Sequence, residues 1–174
     1  FFSSFALLED LAPLTARHGA RVVPLRLDVT NPSQIAAAAS AAPDLQLLVN
    51  NAGVAGHAGG VYTDPQWITA GRQEMEVNFF GTFAVTQAFA PVLAENGGGV
   101  IVNIASIAAL VSFAFLASYS ASKAAAHSLT QATRAMLKGQ GTRVFGVYPG
   151  PIDTRMAEGI PFDKTSPPEA ARAL

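Results

Sequence analysis

The sequence predicts an α/β fold, a doubly wound parallel sheet with helices on both faces. Three observations predict it. Short apolar runs of strand length, at residues 45–49, 100–104 and 143–148, alternate with longer segments of helical periodicity. Each run is followed within two residues by Asn, Ser or Pro, residues that end strands. The 174 residues, half of them hydrophobic, suit one domain with a sizeable core and leave no room for a second.

The elements follow in order. Leu7, Leu8, Leu11 and Leu14 recur at helical spacing, which predicts a helix over 5–17 ended by Gly19, with Pro13 straining its second half. A strand over 21–27 comes next. Asp28-Val29-Thr30-Asn31-Pro32 leaves it and starts a short Ala-rich helix over 35–42, with Thr30 or Asn31 as N-cap and Pro32 at the first helical position. The run at 45–49 reads as a strand buried on both faces. Asp64-Pro65 and Trp67 open a long helical region reaching to about Leu93, and Gly97-Gly98-Gly99 stops it. The strands at 100–104 and 143–148 flank a helix over 118–137 whose Ala121, Ala124, Ala125, Leu129, Ala132 and Met136 suit close packing. Pro149-Gly150-Pro151 breaks the last strand.

Composition removes several classes of function. A net charge of −1 with 13% charged residues offers no basic stripe for a phosphate backbone, so nucleic acid is not an expected partner. The chain has no run of eighteen apolar residues, and Phe1-Phe2-Ser3-Ser4-Phe5 lacks the pattern of a secretory signal, so a soluble, cytoplasmic protein with no membrane partner is expected. Without cysteine there is no disulfide or thiolate site; His18, His57 and His127 have no ligand-like spacing and read as loop or surface residues, so no metal is expected.

The chemistry concentrates in Ser118-Tyr119-Ser120-Ala121-Ser122-Lys123. On a helix, Tyr119 and Lys123 share a face one turn apart. A neighbouring ammonium favours the phenolate and lowers a tyrosine pKa that is otherwise near 10, which makes the phenol a usable general acid/base. A serine hydroxyl from another segment, Ser106, can hydrogen-bond the substrate oxygen, and the three together fit hydride transfer. Asn78, inside an apolar helix, needs partners for its amide; a task at the site and a satisfied core amide are both open. Asn50-Asn51-Ala52-Gly53 follows a strand at its carboxyl end, where open α/β sheets bind ligands, although an ordinary turn has the same composition.

Asp28-Val29-Thr30, Asn50-Asn51-Ala52-Gly53, Val77-Asn78, Ser106, Tyr119, Lys123 and Pro149-Gly150, in this order, resemble the short-chain dehydrogenase/reductase family with an Asn-Ser-Tyr-Lys tetrad. The resemblance runs from about Ala12 to Met156. It implies a Rossmann-like sheet and an oxidoreductase moving a hydride between NAD or NADP and a small alcohol or ketone. By resemblance Tyr119 is the acid/base, Ser106 orients the substrate oxygen, Lys123 also holds the nicotinamide ribose, and Asn78 holds a relay water. Cofactor contacts are implied for Asp28, Val29, Asn50, Asn51, Ala52, Gly53, Tyr119, Lys123, Pro149, Gly150, Ile152 and Thr154. The two long helices imply a homo-oligomer, a dimer or tetramer.

The chain departs from the family in lacking its glycine-rich turn, so it reads as a single, incomplete domain whose strands at 21–27 and 45–49 are not neighbours. Such a chain is expected to expose apolar sheet edges and to bind cofactor weakly on its own. A catalytically silent association module is the alternative function. The lid over 156–166, with Met156, Ile160 and Phe162, suggests an apolar substrate part. The residue that distinguishes NAD from NADP would follow a strand absent from the sequence.

Overall fold

The computed structural model describes residues 2–3, 11–56, 59–158, 160 and 162–173. Strands β1 (Phe2–Ser3) and β2 (Arg26–Leu27) pair in parallel. Strands β3 (Leu47–Asn50), β4 (Gly99–Ile104) and β5 (Thr142–Val147) form a second parallel sheet in the order β3-β4-β5. The helices are α1 (Ala12–His18), α2 (Pro32–Ala41), α3 (Gln66–Glu74), α4 (Thr82–Glu95), α5 (Ala117–Met136) and α6 (Pro167–Arg172). Parallel strands joined by helical crossovers make the Rossmann-like fold that the sequence predicts. The strands at 26–27 and 47–50 lie in different sheets, as expected.

Several local readings are corrected. Helix α1 begins at Ala12, so Pro13 sits in its first turn, where the missing N–H leaves no hydrogen bond unmade; the expected strain is absent. Residues 5–10 of that predicted helix lie outside the described residues. Of the strand expected over 21–27 only Arg26 and Leu27 find a ladder partner, and Gly19–Arg21 is a 3-10 turn. His127 is half-buried on α5 and not in a loop, its Nδ1 lying 2.6 Å from the Tyr148 hydroxyl; His57 lies outside the described residues. The helix after β2 starts as read, with Asn31 Oδ1 accepting the N–H groups of Ser33 and Gln34 at 3.0 and 3.1 Å and Pro32 following.

In-register pairing aligns Leu48, Ile101 and Val144 across the sheet on one face, and all three are buried. Helices α4 and α5 cover this face, and α2 packs on α4. Phe89 and Leu93 of α4 are fully buried in this core, and each contributes roughly 1.5–3 kcal/mol by leaving water. The run Gln66–Glu95 is long and apolar enough to cross a membrane, and this packing accounts for the part of it that is buried. On the opposite face Leu47, Val49 and Phe145 are 55%, 48% and 47% exposed. The expectation that 45–49 is buried on both faces is therefore wrong: among the described residues, helices cover one face.

Candidate active site

The carboxyl end of β3 sets the site's first wall. Asn50 Nδ2 donates to Asn103 Oδ1 on β4 at 2.8 Å and to Thr86 Oγ1 on α4 at 3.0 Å. Asn103 Nδ2 in turn donates to Thr130 Oγ1 on α5 at 2.9 Å. This chain of amides ties two strands to two helices inside the core, where an unpaired amide would cost about 1–3 kcal/mol. The Asn50 side-chain N–H groups are thus committed to the scaffold. Asn103 was not singled out in the sequence, although an amide inside an apolar strand was the signal.

The second wall is the helical run between α3 and α4, which passes through a π-helical segment at Met75–Gly81. Single π turns are rare and concentrate at functional sites. Asn78, on this segment, is buried: its Oδ1 accepts the Val54 N–H at 2.8 Å, and its Nδ2 donates to the Val54 carbonyl and to Ser122 Oγ on α5, both at 2.9 Å. Four residues earlier Glu74, also buried, accepts the Gly56 N–H at 2.8 Å through Oε1. The loop after β3 is therefore stapled at alternate residues to two side chains one turn apart. Glu74 was missed in the sequence; its place one turn before Asn78 was the signal.

The third wall combines the end of β4 with α5. Ser106 caps the 3-10 turn Ile107–Ala109, its Oγ accepting the Ala108 N–H at 3.1 Å, and its hydroxyl is placed to act on that of Tyr119. The Ile107 N–H donates to the Pro149 carbonyl at 2.9 Å, which brings the Pro149-Gly150 loop against the same turn. Lys123 is buried and donates to the Ile104 carbonyl at 3.2 Å, with its Nζ 5.7 Å from the centre of the Tyr119 ring. A Cβ on Gly53 would lie 3.3 Å from both Asn78 Oδ1 and Lys123 Nζ, so the missing side chain keeps that wall open.

Desolvation dominates the electrostatics. Burial pushes the Tyr119 phenol above its ordinary value; the Ser106 hydrogen bond opposes this, and the negative charge of Glu74 adds to it. Burial lowers the Lys123 ammonium to about 8. The expectation that Lys123 lowers the Tyr119 pKa is not met in this structure, because the ammonium spends its hydrogen bond on a carbonyl and is itself desolvated. Tyr119 is consequently a phenol at neutral pH, a proton donor beside a second hydroxyl.

Asn78, Ser106, Tyr119, Lys123, Gly53 and the Pro149-Gly150 loop thus meet in one place. Other expected contacts are engaged elsewhere. The Asp28 carboxylate accepts from the N–H and hydroxyl of Thr30, which hold its pKa low, and Val29 is buried against Gly81. Ile152 bridges Thr165, and the Thr154 hydroxyl donates to the Ile152 carbonyl at 3.3 Å. Asn51 is exposed, and Ala52 half-buried, at the loop's start.

Residues 4–164 match the family model described as short chain dehydrogenase. The chain is 37% identical over 163 residues to 1-deoxy-11-beta-hydroxypentalenate dehydrogenase of Streptomyces exfoliatus, covering 89% of this chain and 58% of that protein. A short chain dehydrogenase from Burkholderia cenocepacia J2315, solved in complex with NADP, superposes with a TM-score of 0.83 at 47% identity, covering 90% of this chain and 66% of that one. A 7 alpha-hydroxysteroid dehydrogenase complexed with NADH and 7-oxo glycochenodeoxycholic acid gives a TM-score of 0.84 at 28% identity, covering 95% and 71%. The chain thus spans little more than half the length of the first of these relatives.

Proposed function

Since the chain belongs to the short-chain dehydrogenase/reductase family, we propose that it carries the catalytic half of an oxidoreductase acting on the carbonyl/alcohol pair of a small molecule with NAD or NADP. The observation that carries this reading is the convergence of Ser106, Tyr119 and the buried Lys123, with Lys123 Nζ 5.7 Å from the centre of the Tyr119 ring. NADP on one similar structure and NADH on another support the choice of cofactor.

The residues present fit the nicotinamide end of such a cofactor. Lys123 keeps ammonium donors beyond the one given to Ile104, beside the cleft that Gly53 leaves open, and Gly150 faces open space. The glycine-rich turn that would take the pyrophosphate is not among these residues. When bound, the cofactor supplies or accepts the hydride.

In reduction, Tyr119 donates its phenolic proton to the substrate carbonyl oxygen as the carbon gains hydride, and Ser106 donates a hydrogen bond to the same oxygen. Lys123, its Nζ 5.7 Å from the centre of the Tyr119 ring, is assigned to hold the nicotinamide ribose in this reading. Asn78 has its side chain committed to Val54 and Ser122, so we assign it the holding of the site's two walls in place of a relay water. Phe113, Phe115 and Phe162, with ring centroids 5.7–6.5 Å apart, bring the lid together with the segment leading into α5 and favour a substrate with an apolar body. Phe80 and Phe83, exposed on the α3–α4 run, are the surface we assign to a soluble, cytoplasmic homo-oligomer. The converging tetrad disfavours a silent association module.

Tyr119→Phe in the complete protein is expected to lower turnover by about 10²-fold or more with the fold intact, since one hydroxyl is lost. Steady-state rates and circular dichroism of both forms test this, and near-unchanged turnover refutes the assignment.

A further inference from the structure

We propose that Glu74 is a further positioning residue of this site, holding the 54–56 loop in place and presenting a buried carboxylate to the first turn of α5 that carries Tyr119. The inference rests on the reading above and deepens it.

Glu74 is completely buried, yet among the described residues only Oε1 has a partner, the Gly56 N–H, and Oε2 has none. Its position follows from two contacts along the seam between α3 and α5. Gly71 lies against Ser118, where an added Cβ would come within 3.2 Å of the Ser118 Cβ, and Asn78 bonds Ser122. Glu74 falls between Gly71 and Asn78 on the same helical run, so it faces the segment between Ser118 and Ser122, which contains Tyr119. Ser118 Oγ, the other buried side-chain oxygen without a partner among the described residues, lies on this same seam.

A merely structural staple for one N–H does not need a charge. A glutamine would accept the same hydrogen bond, and burying an ion with one partner is costlier than burying an amide. A buried polar atom left without a partner calls for an explanation in function. The charged groups facing Tyr119 are Lys123 from its own helix and Glu74 from across the seam; Ser106 contributes a neutral hydroxyl from the turn after β4. A negative charge there disfavours the phenolate and so keeps the phenol protonated. The staple acts on the same centre through the backbone: the loop it holds begins beside Gly53, where an added Cβ would lie 3.3 Å from Asn78 Oδ1 and Lys123 Nζ.

Two variants of the full-length protein separate the two parts. Glu74→Gln keeps the acceptor for Gly56 and removes the charge; Glu74→Ala removes both. Hydrogen exchange at the Gly56 and Val54 amides reads the staple. The absorbance change of tyrosine ionisation, with Tyr119→Phe subtracted, reads the charge. In Glu74→Ala the Gly56 amide is expected to exchange about tenfold faster or more, with Val54 still held by Asn78. In Glu74→Gln, Gly56 stays protected while the Tyr119 titration moves to lower pH, and the pH–rate profile moves with it. An unmoved titration in Glu74→Gln, or unchanged Gly56 exchange in Glu74→Ala, overturns the proposal. The isosteric glutamine variant decides the matter if the alanine variant does not fold. Exchange and absorbance need no turnover, so a protein inactive on every alcohol and ketone would refute the proposed function and still leave Glu74 decided.

Discussion

Lys123 is kept nearly dry beside Tyr119, and its ammonium is lowered from 10.5 to about 8 by burial alone. The unfolded chain therefore binds more protons than the folded one between about pH 8 and 10.5, and stability rises with pH across that window. Below it the whole penalty is present, on the order of 3 kcal/mol at about 1.4 kcal/mol per unit. Lys123→Met is expected to stabilise the protein at pH 7 by about 1–3 kcal/mol while abolishing activity, and to remove the gain in stability between pH 8 and 10. Urea unfolding at pH 7 and 10 measures both. At this scale Tyr119 and Lys123 were legible because their spacing fixes a shared face, and Ser106 because it ends an apolar strand. For Asn50 the sequence did not show where its amide N–H groups go. Its neighbours in sequence line the loop, but strand alternation turns its own side chain inward to Asn103, a partner 53 residues away.

The π-helical segment shows what element-level reading can and cannot reach. Its existence as helix followed from periodicity, and its irregularity did not, because the extra residue per turn is imposed by partners distant in sequence. One partner is Val29: a Cβ on Gly81 would lie 2.6 Å from Val29 Cγ2. Glycine thus lets this segment approach the loop after β2 at backbone distance. Gly81→Ala is expected to destabilise by about 1–3 kcal/mol through overpacking. Gly81→Ala combined with Val29→Ala should recover part of that loss, and thermal unfolding of the single and double variants tests the coupling. The three strands of the sheet β3-β4-β5 were legible to within about two residues. At 21–27 the sequence had strand character throughout, but pairing, which makes a strand, reached only two residues.

At the scale of the molecule the sheet is dressed on one side. The row Leu48, Ile101, Val144 is buried, whereas Val49 and Phe145, on the other side, are open. Contiguous exposed apolar surface favours association. Replacing Val49 and Phe145 together by threonine keeps strand propensity and is expected to raise several-fold the concentration at which the 174-residue polypeptide self-associates, with stability changed by no more than about 1 kcal/mol. Light scattering over a dilution series checks it. The stitches that assemble the site have a temporal meaning as well. Asn50 meets Asn103 across 53 residues, Asn78 meets Ser122 across 44, and Val54 meets Asn78 across 24. Each closure waits on the entropy of a long loop, and parallel strands offer no hairpin from which to start. The helices are thus expected to form early and the candidate site late, so a nascent chain exposes its apolar strands before the walls of that site meet.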